Sequence, residues 1–517
     1  MKKENPHLLF LNYPLLDKGL STHDEVYKSA SPNLAFGYLG TIADRLGCKV
    51  TIIDANFYLR PYDTNQLIDQ ILQLQPDFIG CSVFMDNALW GYEFLKILKE
   101  KYCDCLYVAG GPHPSILPEE PLRYGFDISC RKESERTIED LIDYLRGNTE
   151  LKKIQSISYF DENRNIIHNP DREIENNLDY IPMINYDLFD KLYFSQENIE
   201  RTKFQVFASR GCPNKCTYCN SYGVFGTRFR TRSVENILEE LELIYKKYGI
   251  KKINFVDDYF VLNNKRAIEI CEGMIKRKIN LSWGCYSKAG AISSELFEIM
   301  KKAGCDHIGY GVENVYPKTL ELINKKTPLE KINATYECTD PTGIHYKTNI
   351  MAGFPWETVE SVRVNIDFIL AKKRKYKALF NPVVLYPVPK TKLYEDYVDE
   401  FPIIKDHWLN KEFMIANTDL SSEGRMELNF FNLDKKVIKE IKLLFFCCRI
   451  PPLKSLNGIG FLIFYPLNRF FYSYWGAKFL NTVFYTFKLK TVYYALKNAK
   501  TVINKLLIKT SQNNSTK

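Results

Sequence analysis

The residues best suited to chemistry are three cysteines in Arg210-Gly211-Cys212-Pro213-Asn214-Lys215-Cys216-Thr217-Tyr218-Cys219-Asn220, a C-x3-C-x2-C triplet with an aromatic residue before its last member. Closely spaced thiolates are soft ligands that suit iron–sulfur clusters or zinc. A structural zinc site is closed by four ligands, and no fourth Cys or His lies nearby in the sequence. A [4Fe–4S] cluster held by three cysteines leaves one iron open to another molecule. The alternatives are a zinc knuckle completed from a distant residue, or three incidental cysteines.

Two further groups of residues merit attention. Val108-Ala109-Gly110-Gly111-Pro112-His113-Pro114-Ser115 follows an apolar run, and its paired glycines let a ligand approach the backbone. His113, set between prolines, reads as a surface or pocket-lining residue rather than a metal ligand. The second group is a set of acids and a lysine at the ends of apolar runs: Asp257-Asp258, Lys288 and Glu313. For Asp258 alone a helix cap or solvated carboxylate is the favoured reading, and Asp257 stays open. Cys271, Cys285, Cys305 and Cys338 read as small core or near-core residues.

The elements that must position these residues follow from periodicity. Short apolar runs at Leu8–Leu11, Val50–Ile53, Phe78–Val83 and Leu106–Ala109 predict buried parallel strands. Helical patterns lie between them at Leu34–Leu46, Thr64–Leu74 and Leu89–Lys99. Residues 1–150 therefore predict a doubly wound α/β domain with any ligand at the strands' C-terminal ends. The apolar start is read as its first strand, not as a signal peptide. Residues 151–200 are polar and irregular and predict a hairpin and connector. From Phe204 a second series begins, with strand-like runs ending at the cysteine loop, Asp257-Asp258, Lys288, Glu313-Asn314, Gly353-Phe354-Pro355 and Tyr386-Pro387. Six strand–helix units predict a partial, open (β/α)6 barrel over residues 201–400. Residues 401–517 leave this pattern and predict a mainly helical extension.

On the cysteine triplet and this whole series in order, about two hundred residues, the chain resembles the radical S-adenosylmethionine (SAM) enzymes. Ser31-Pro32-Asn33-Leu34, the Gly80-Cys81-Ser82 strand end, and Gly-Gly-Pro-His-Pro-Ser followed by Pro118-Glu119-Glu120 resemble the Rossmann-like cobalamin-binding domain that precedes many of them. The resemblance implies a [4Fe–4S] cluster on Cys212, Cys216 and Cys219. It implies SAM beside Tyr218, Asp257, Lys288, Glu313, Gly353 and Pro355. It implies cobalamin against Ser82, Gly110, Gly111 and Pro112. Lys288 stands where relatives often carry arginine, which keeps the charge and loses the bidentate fork. Two departures are visible. Leu16-Asp17-Lys18-Gly19 lacks the histidine that ligates cobalt in some cobalamin domains, and Lys132-Glu133-Ser134-Glu135 replaces both glycines of a Gly-Glu-Gly-Glu motif.

The implied chemistry is reductive cleavage of SAM to a radical that removes hydrogen from an unactivated carbon, followed most often by methyl transfer from cobalamin. A cobalamin-dependent methyltransferase acting on a sizeable, lipid-like small molecule is the expectation. An oxidative cyclase or ring-rearranging enzyme is the alternative, and a non-catalytic iron–sulfur or cobalamin sensor is the alternative of another class. No catalytic residue is assigned beyond the cluster. A reductant such as flavodoxin or ferredoxin is an implied partner.

The totals constrain the setting. A length of 517 residues, 45% of them hydrophobic, suggests two or three domains. Fourteen scattered cysteines that include a metal triplet suit a reducing cytoplasm. Of the 70 Lys and Arg and 62 Asp and Glu, twelve of the former and none of the latter fall between 441 and 517, so the net +8 divides into +12 there and −4 elsewhere. A helical pattern at Lys488–Lys509 with a basic side, and the aromatic run 458–475, suit contact with the inner membrane surface. A cap packed on the barrel is the other reading. Nucleic acid is not expected, because the aromatics cluster in apolar runs instead of interleaving with the basic residues.

Overall fold

The computed structural model describes residues 3–14, 30–411, 429–452 and 473–486. Leu16-Asp17-Lys18-Gly19, most of the 458–475 aromatic run and the Lys488–Lys509 pattern lie outside the described residues.

The first sheet has seven strands: β1 (His7–Asn12), β2 (Lys49–Asp54), β3 (Phe78–Ser82), β4 (Leu106–Gly110), β5 (Ile128–Cys130), β6 (Ile157–Phe160) and β7 (Ile166–His168). Their order is β2-β1-β3-β4-β5-β6-β7, parallel through β5 and antiparallel beyond it. Side chains alternate between two buried faces, as a doubly wound sheet requires. Leu8, Phe10, Phe78 and Val108 pack with Phe36, Ile42, Ile138 and Leu141 of the helices Leu34–Arg45 and Glu135–Leu145. Leu9, Leu11 and Ile79 pack instead with Leu67, Ile71, Phe94 and Leu98 of the helices Thr64–Leu74 and Ala88–Lys101. The hairpin expected inside the connector is β6–β7. It extends the first sheet rather than standing apart.

The second sheet holds six parallel strands: β8 (Phe204–Val206), β11 (Lys252–Phe255), β12 (Ser282–Lys288), β13 (Cys305–Glu313), β14 (His345–Ala352) and β15 (Leu379–Val384). They lie side by side in sequence order, with β8 and β15 at the edges, so the barrel is open. A short antiparallel ladder between β9 (Ser209–Arg210) and β10 (Arg230–Thr231) splits off after β8. Intervening helices start at side-chain caps, among them Ser233, Asn263, Ser293 and Thr358.

Beyond the barrel, helix Lys435–Arg449 packs on helix Val359–Lys375 and on β15. It buries Ile441, Leu444, Phe445 and Cys447. Its C-terminal carbonyls have no partner within the helix, and Lys373 supplies one: Nζ donates to Cys448 O at 2.8 Å and to Ile450 O. Burial lowers the Lys373 ammonium pKa to about 8. Helix Tyr474–Thr486 follows, with Tyr474 OH donating to Glu440 at 2.7 Å. No helix among the described residues is long and apolar enough to cross a membrane. Cys271, Cys285 and Cys305 are buried, but Cys338 is exposed, because helix Leu329–Thr339 packs its other face inward. That reading of Cys338 as core is corrected.

Because helix Lys435–Arg449 shares the barrel's core, Leu444→Ala is expected to lower the stability of the barrel by about 2–5 kcal/mol. Urea unfolding monitored by circular dichroism measures it, and an unchanged midpoint would show that the helix is not part of that core.

Candidate active site between the two sheets

The cysteine loop leaves β9 through Gly211, whose φ of +84° suits glycine and where a Cβ would run into Arg228 O. Hydrogen bonds to the loop backbone then pin it to the barrel rim. Thr217 N–H donates to Ile323 O at 3.1 Å, Leu393 N–H donates to Thr217 O at 2.9 Å, and Asn324 donates to Lys215 O at 2.8 Å. Cys216 is buried, while Cys212 and Cys219 are half-buried. Burial raises the Cys216 thiol pKa, and burial pushes Cys219 to about 11, with the neighbouring thiols adding to both. The three are thus close enough to feel one another. Yet no three Cys, His, Asp or Glu side chains among the described residues close on a single ion.

Around the thiols stand Tyr218, Lys288 and Glu313. Glu313 ends β13 at a register shift with a φ of +68°, an uncommon conformation for a residue with a Cβ. Its carboxylate meets Lys325 Nζ at 3.4 Å, with both side chains about nine-tenths buried. Gly311 makes room: a Cβ there would lie 2.7 Å from Glu313 Oε1 and 3.1 Å from Lys325 Nζ. Burial, then Glu313, drives the Tyr218 phenol pKa far up. Burial, then Lys325, lowers Lys288, which also lies within electrostatic reach of Cys216 and Cys212. Lys325 was not foreseen. It sits on a loop after helix Pro317–Leu322, and its only sequence signal is the basic pair Lys325-Lys326.

The two aspartates differ from expectation. Asp257 is buried and fully engaged, accepting from Ala208 N–H at 2.8 Å and from the Ser209 hydroxyl. It braces the bend between β8 and β9, and burial raises its pKa to about 6. Asp258 instead accepts from Ser221 Oγ at 2.6 Å, lies within reach of the Cys219 charge and lines both cavities described below. Gly353 follows β14 with a φ of +99°, and its N–H donates to Glu357 Oε2 at 2.6 Å. Pro355 is half-buried beside it.

Facing the loop, a cavity of about 600 Å³ opens at the C-terminal ends of β1, β3 and β4, where the strand order reverses. Ser82, Gly110, Gly111 and Pro112 all line it. Gly111 has a φ of +106°, and a Cβ there would stand 2.9 Å from Val83 O. The opposite wall comes from the barrel: Phe207, Arg210, Phe225 and Asp258. Lys132, standing where the motif has glycine, keeps the left-handed backbone with a φ of +60°. Its N–H donates to Ser115 Oγ at 2.8 Å.

The acids of that motif cross to the barrel. Glu135 pairs with Arg210 at 2.5 Å, and Glu133 pairs with Arg210 at 3.5 Å and with Arg230 at 3.0 Å. Burial alone would raise the Glu135 carboxyl pKa; Arg210, aided by Arg230, holds it below the usual range. Arg210 Nη1 and Glu135 Oε2 remain buried without a hydrogen-bond partner on the cavity wall. The amide side chains around a corrin ring carry both the donor and the acceptor these atoms lack, so the residues present fit cobalamin.

The Radical SAM superfamily model matches residues 206–369, and the B12 binding domain model matches 25–142. An uncharacterized methyltransferase from Pyrococcus horikoshii is 32% identical over 74% of this chain and 82% of its own length. The chain belongs to the cobalamin-dependent radical SAM enzymes. An anaerobic magnesium-protoporphyrin IX monomethyl ester cyclase from Rubrivivax gelatinosus is 25% identical over 87% of this chain and 82% of its own. The solved structure of the cobalamin-dependent SAM radical enzyme OxsB, with aqua-cobalamin and SAM bound, is 24% identical with a TM-score of 0.61. This chain covers 56% of that one, matching over 78% of its own residues, and the likeness concerns the fold. In this radical SAM enzyme the cofactors are therefore the [4Fe–4S] cluster, SAM and cobalamin.

Glu357, also not foreseen, is buried, and burial raises its pKa to about 8. A carboxyl raised above its unfolded value contributes stability that is full below the unfolded pKa, near 4.5, and is lost as pH rises through about 8. The unfolding free energy should fall across that window by up to about 1.4 kcal/mol per pH unit. Glu357→Gln should flatten the profile, and an unchanged slope in the variant would remove Glu357 as its source.

Proposed function

We propose that this enzyme methylates a sizeable, apolar, lipid-like small molecule at an unactivated carbon. The observation that carries the reading is a second cavity, of about 530 Å³, that shares Phe84, Pro112, Val224, Phe225 and Asp258 with the cobalamin-side cavity. It borders Asn220 and Ser221, which directly follow the third cysteine. A substrate there would lie within reach of both cofactor regions. When bound, the cluster and SAM would supply reductive, hydrogen-abstracting chemistry, and cobalamin would supply methyl transfer.

The chain's own part is to bind, orient and shield. Cys212, Cys216 and Cys219 hold the cluster. Lys288 and Lys325 offer positive charge to a carboxylate, and Glu313 accepts from an ammonium or ribose. Tyr218, Gly353 and Pro355 shape the purine side. Of the two aspartates we assign Asp258 to the cofactors and Asp257 to the scaffold. Ser82, Gly110, Gly111 and Pro112 receive cobalamin. The apolar walls of both cavities exclude water from a reactive site. Residues 1–150, extended by the β6–β7 hairpin, form the cobalamin unit; 201–400 form the SAM unit; the described residues beyond 401 form an extension packed on the barrel. The +12 chain end, in a cytoplasmic protein supplied by flavodoxin or ferredoxin, suits contact with an anionic membrane surface.

The match to a magnesium-protoporphyrin IX monomethyl ester cyclase over 87% of the chain favours oxidative cyclisation as the second reading. Anaerobic turnover with SAM labelled in its methyl group separates the two. Methyl transfer puts the label in the product; an unlabelled, dehydrogenated product supports the cyclase. In the same experiment Cys216→Ala should leave far fewer than about four irons per chain and form no 5′-deoxyadenosine, while retaining cobalamin. Wild-type formation of 5′-deoxyadenosine by the variant would refute the cluster assignment.

A further inference from the structure

One buried imidazole in the second cavity has no place in the chemistry above. His113 is fully buried, and its Nε2 lies 2.7 Å from Glu120 Oε1. Tyr92 OH donates to the same oxygen at 3.0 Å, and Trp408 Nε1–H donates to Glu120 Oε2 at 2.9 Å. An ionised carboxylate offers only acceptors, so the network assigns the proton to His113 Nε2. In the neutral imidazole this leaves Nδ1 as an acceptor, and it has no hydrogen-bond partner among the described residues. A second orphan lines the same cavity: both the Oδ1 and the Nδ2 of Asn220 are buried and unpartnered. Buried polar groups are normally satisfied, so two such side chains on one cavity point to a ligand that supplies the missing bonds.

The remaining wall defines the ligand's other properties. Phe84, Ile116, Phe225, Val383, Leu385 and Phe430 make it mostly apolar. Among the described residues its charged lining is Asp86 and Asp258, two carboxylates that disfavour an anion, with no Lys or Arg. We propose that this cavity is the substrate pocket, and that His113, with its tautomer set by Glu120, accepts a hydrogen bond from a hydroxyl or N–H on an uncharged, apolar substrate. Asn220 completes the recognition, since its amide donates and accepts and so suits a hydroxyl. The inference rests on the reading of the enzyme above and narrows its substrate class. His113 is a positioning and specificity residue here, not a cobalt ligand.

Equilibrium dialysis of the full-length, anaerobically reconstituted, cobalamin-loaded protein tests this with 2-naphthol and naphthalene, which differ by one hydroxyl. Wild type should bind 2-naphthol about tenfold more tightly than naphthalene, the discrimination one buried hydrogen bond provides. His113→Phe should bring the ratio to about one. Glu120→Gln should lower it part-way, because an amide can donate to Nε2 and release the tautomer; it serves as the readout if His113→Phe fails to retain cobalamin or iron. Equal affinities in wild type, or a ratio unchanged in either variant, would overturn the proposal. Competitive displacement of 2-naphthol by SAM would assign the cavity to SAM and also overturn it. Cobalamin absorbance and iron content of the same wild-type samples report on the enzyme reading separately: their loss would sink that reading, whereas their presence without a hydroxyl preference sinks only this inference.

Discussion

Four buried charges hold this molecule in its working arrangement. Glu133 and Glu135 come from the end of the first sheet, and Arg210 and Arg230 from the ladder that carries the cysteine loop. Charges this deeply buried are tolerated only when paired, because each one alone would lose its hydration without compensation. The pairing therefore permits few alternatives. Arg210 stands two residues before Cys212, and Glu135 opens the helix that closes the cobalamin-side cavity. Docking the acids on the arginines sets the strand ends of one sheet against the cysteine loop of the other.

From that docking the cavities follow. The crevice at the strand-order reversal would be an open cleft in the first sheet alone; the barrel's Phe207, Phe225 and Asp258 close its far side. The second cavity lies at the same junction, walled by Pro112 and Ile116 from one unit and Val383 and Leu385 from the other. A continuous apolar cluster reinforces the contact, running from Trp90 and Leu95 to Phe354, Leu385, Trp408 and Phe430. Chemistry that must be kept from water is thus placed where two units meet, and Phe430 from beyond the barrel adds to the wall of the second cavity.

What the sequence made legible was local. Buried strands announced themselves as apolar runs, so the expected runs at Leu8–Leu11 and Phe78–Val83 lie within a residue of β1 and β3. Glycine pairs and the cysteine triplet were visible because their geometry depends on neighbours a few residues away. The charge clamp was not, since Arg210 and Glu135 are 75 residues apart and Arg230 and Glu133 are 97 apart. The retained acids of Lys132-Glu133-Ser134-Glu135 stood out only as a motif in register, and the structure shows them paired with arginines of the other unit. Lys132 shows the opposite lesson: a residue with a Cβ can hold a backbone conformation that the motif usually gives to glycine. Asp257 was placed beside SAM and Asp258 read as a cap or solvated carboxylate, because which one meets Ala208 N–H and which one meets the cavities depends on how β8 and β11 pack. Lys325 and Glu357 belong to no recognised spacing and gain meaning only beside Glu313 and Gly353.

The account stands or falls on the coupling between Glu135 and Arg210. A double-mutant cycle with Glu135→Gln, Arg210→Met and the pair, read by urea unfolding of the anaerobic cobalamin-loaded protein, measures it directly. Each single change should cost about 3–5 kcal/mol by stripping a buried charge of its nearest partner, and the double change should cost well under their sum. Strictly additive losses, with cobalamin retained as in the wild type, would contradict the claim that this pair joins the two cofactor-binding units.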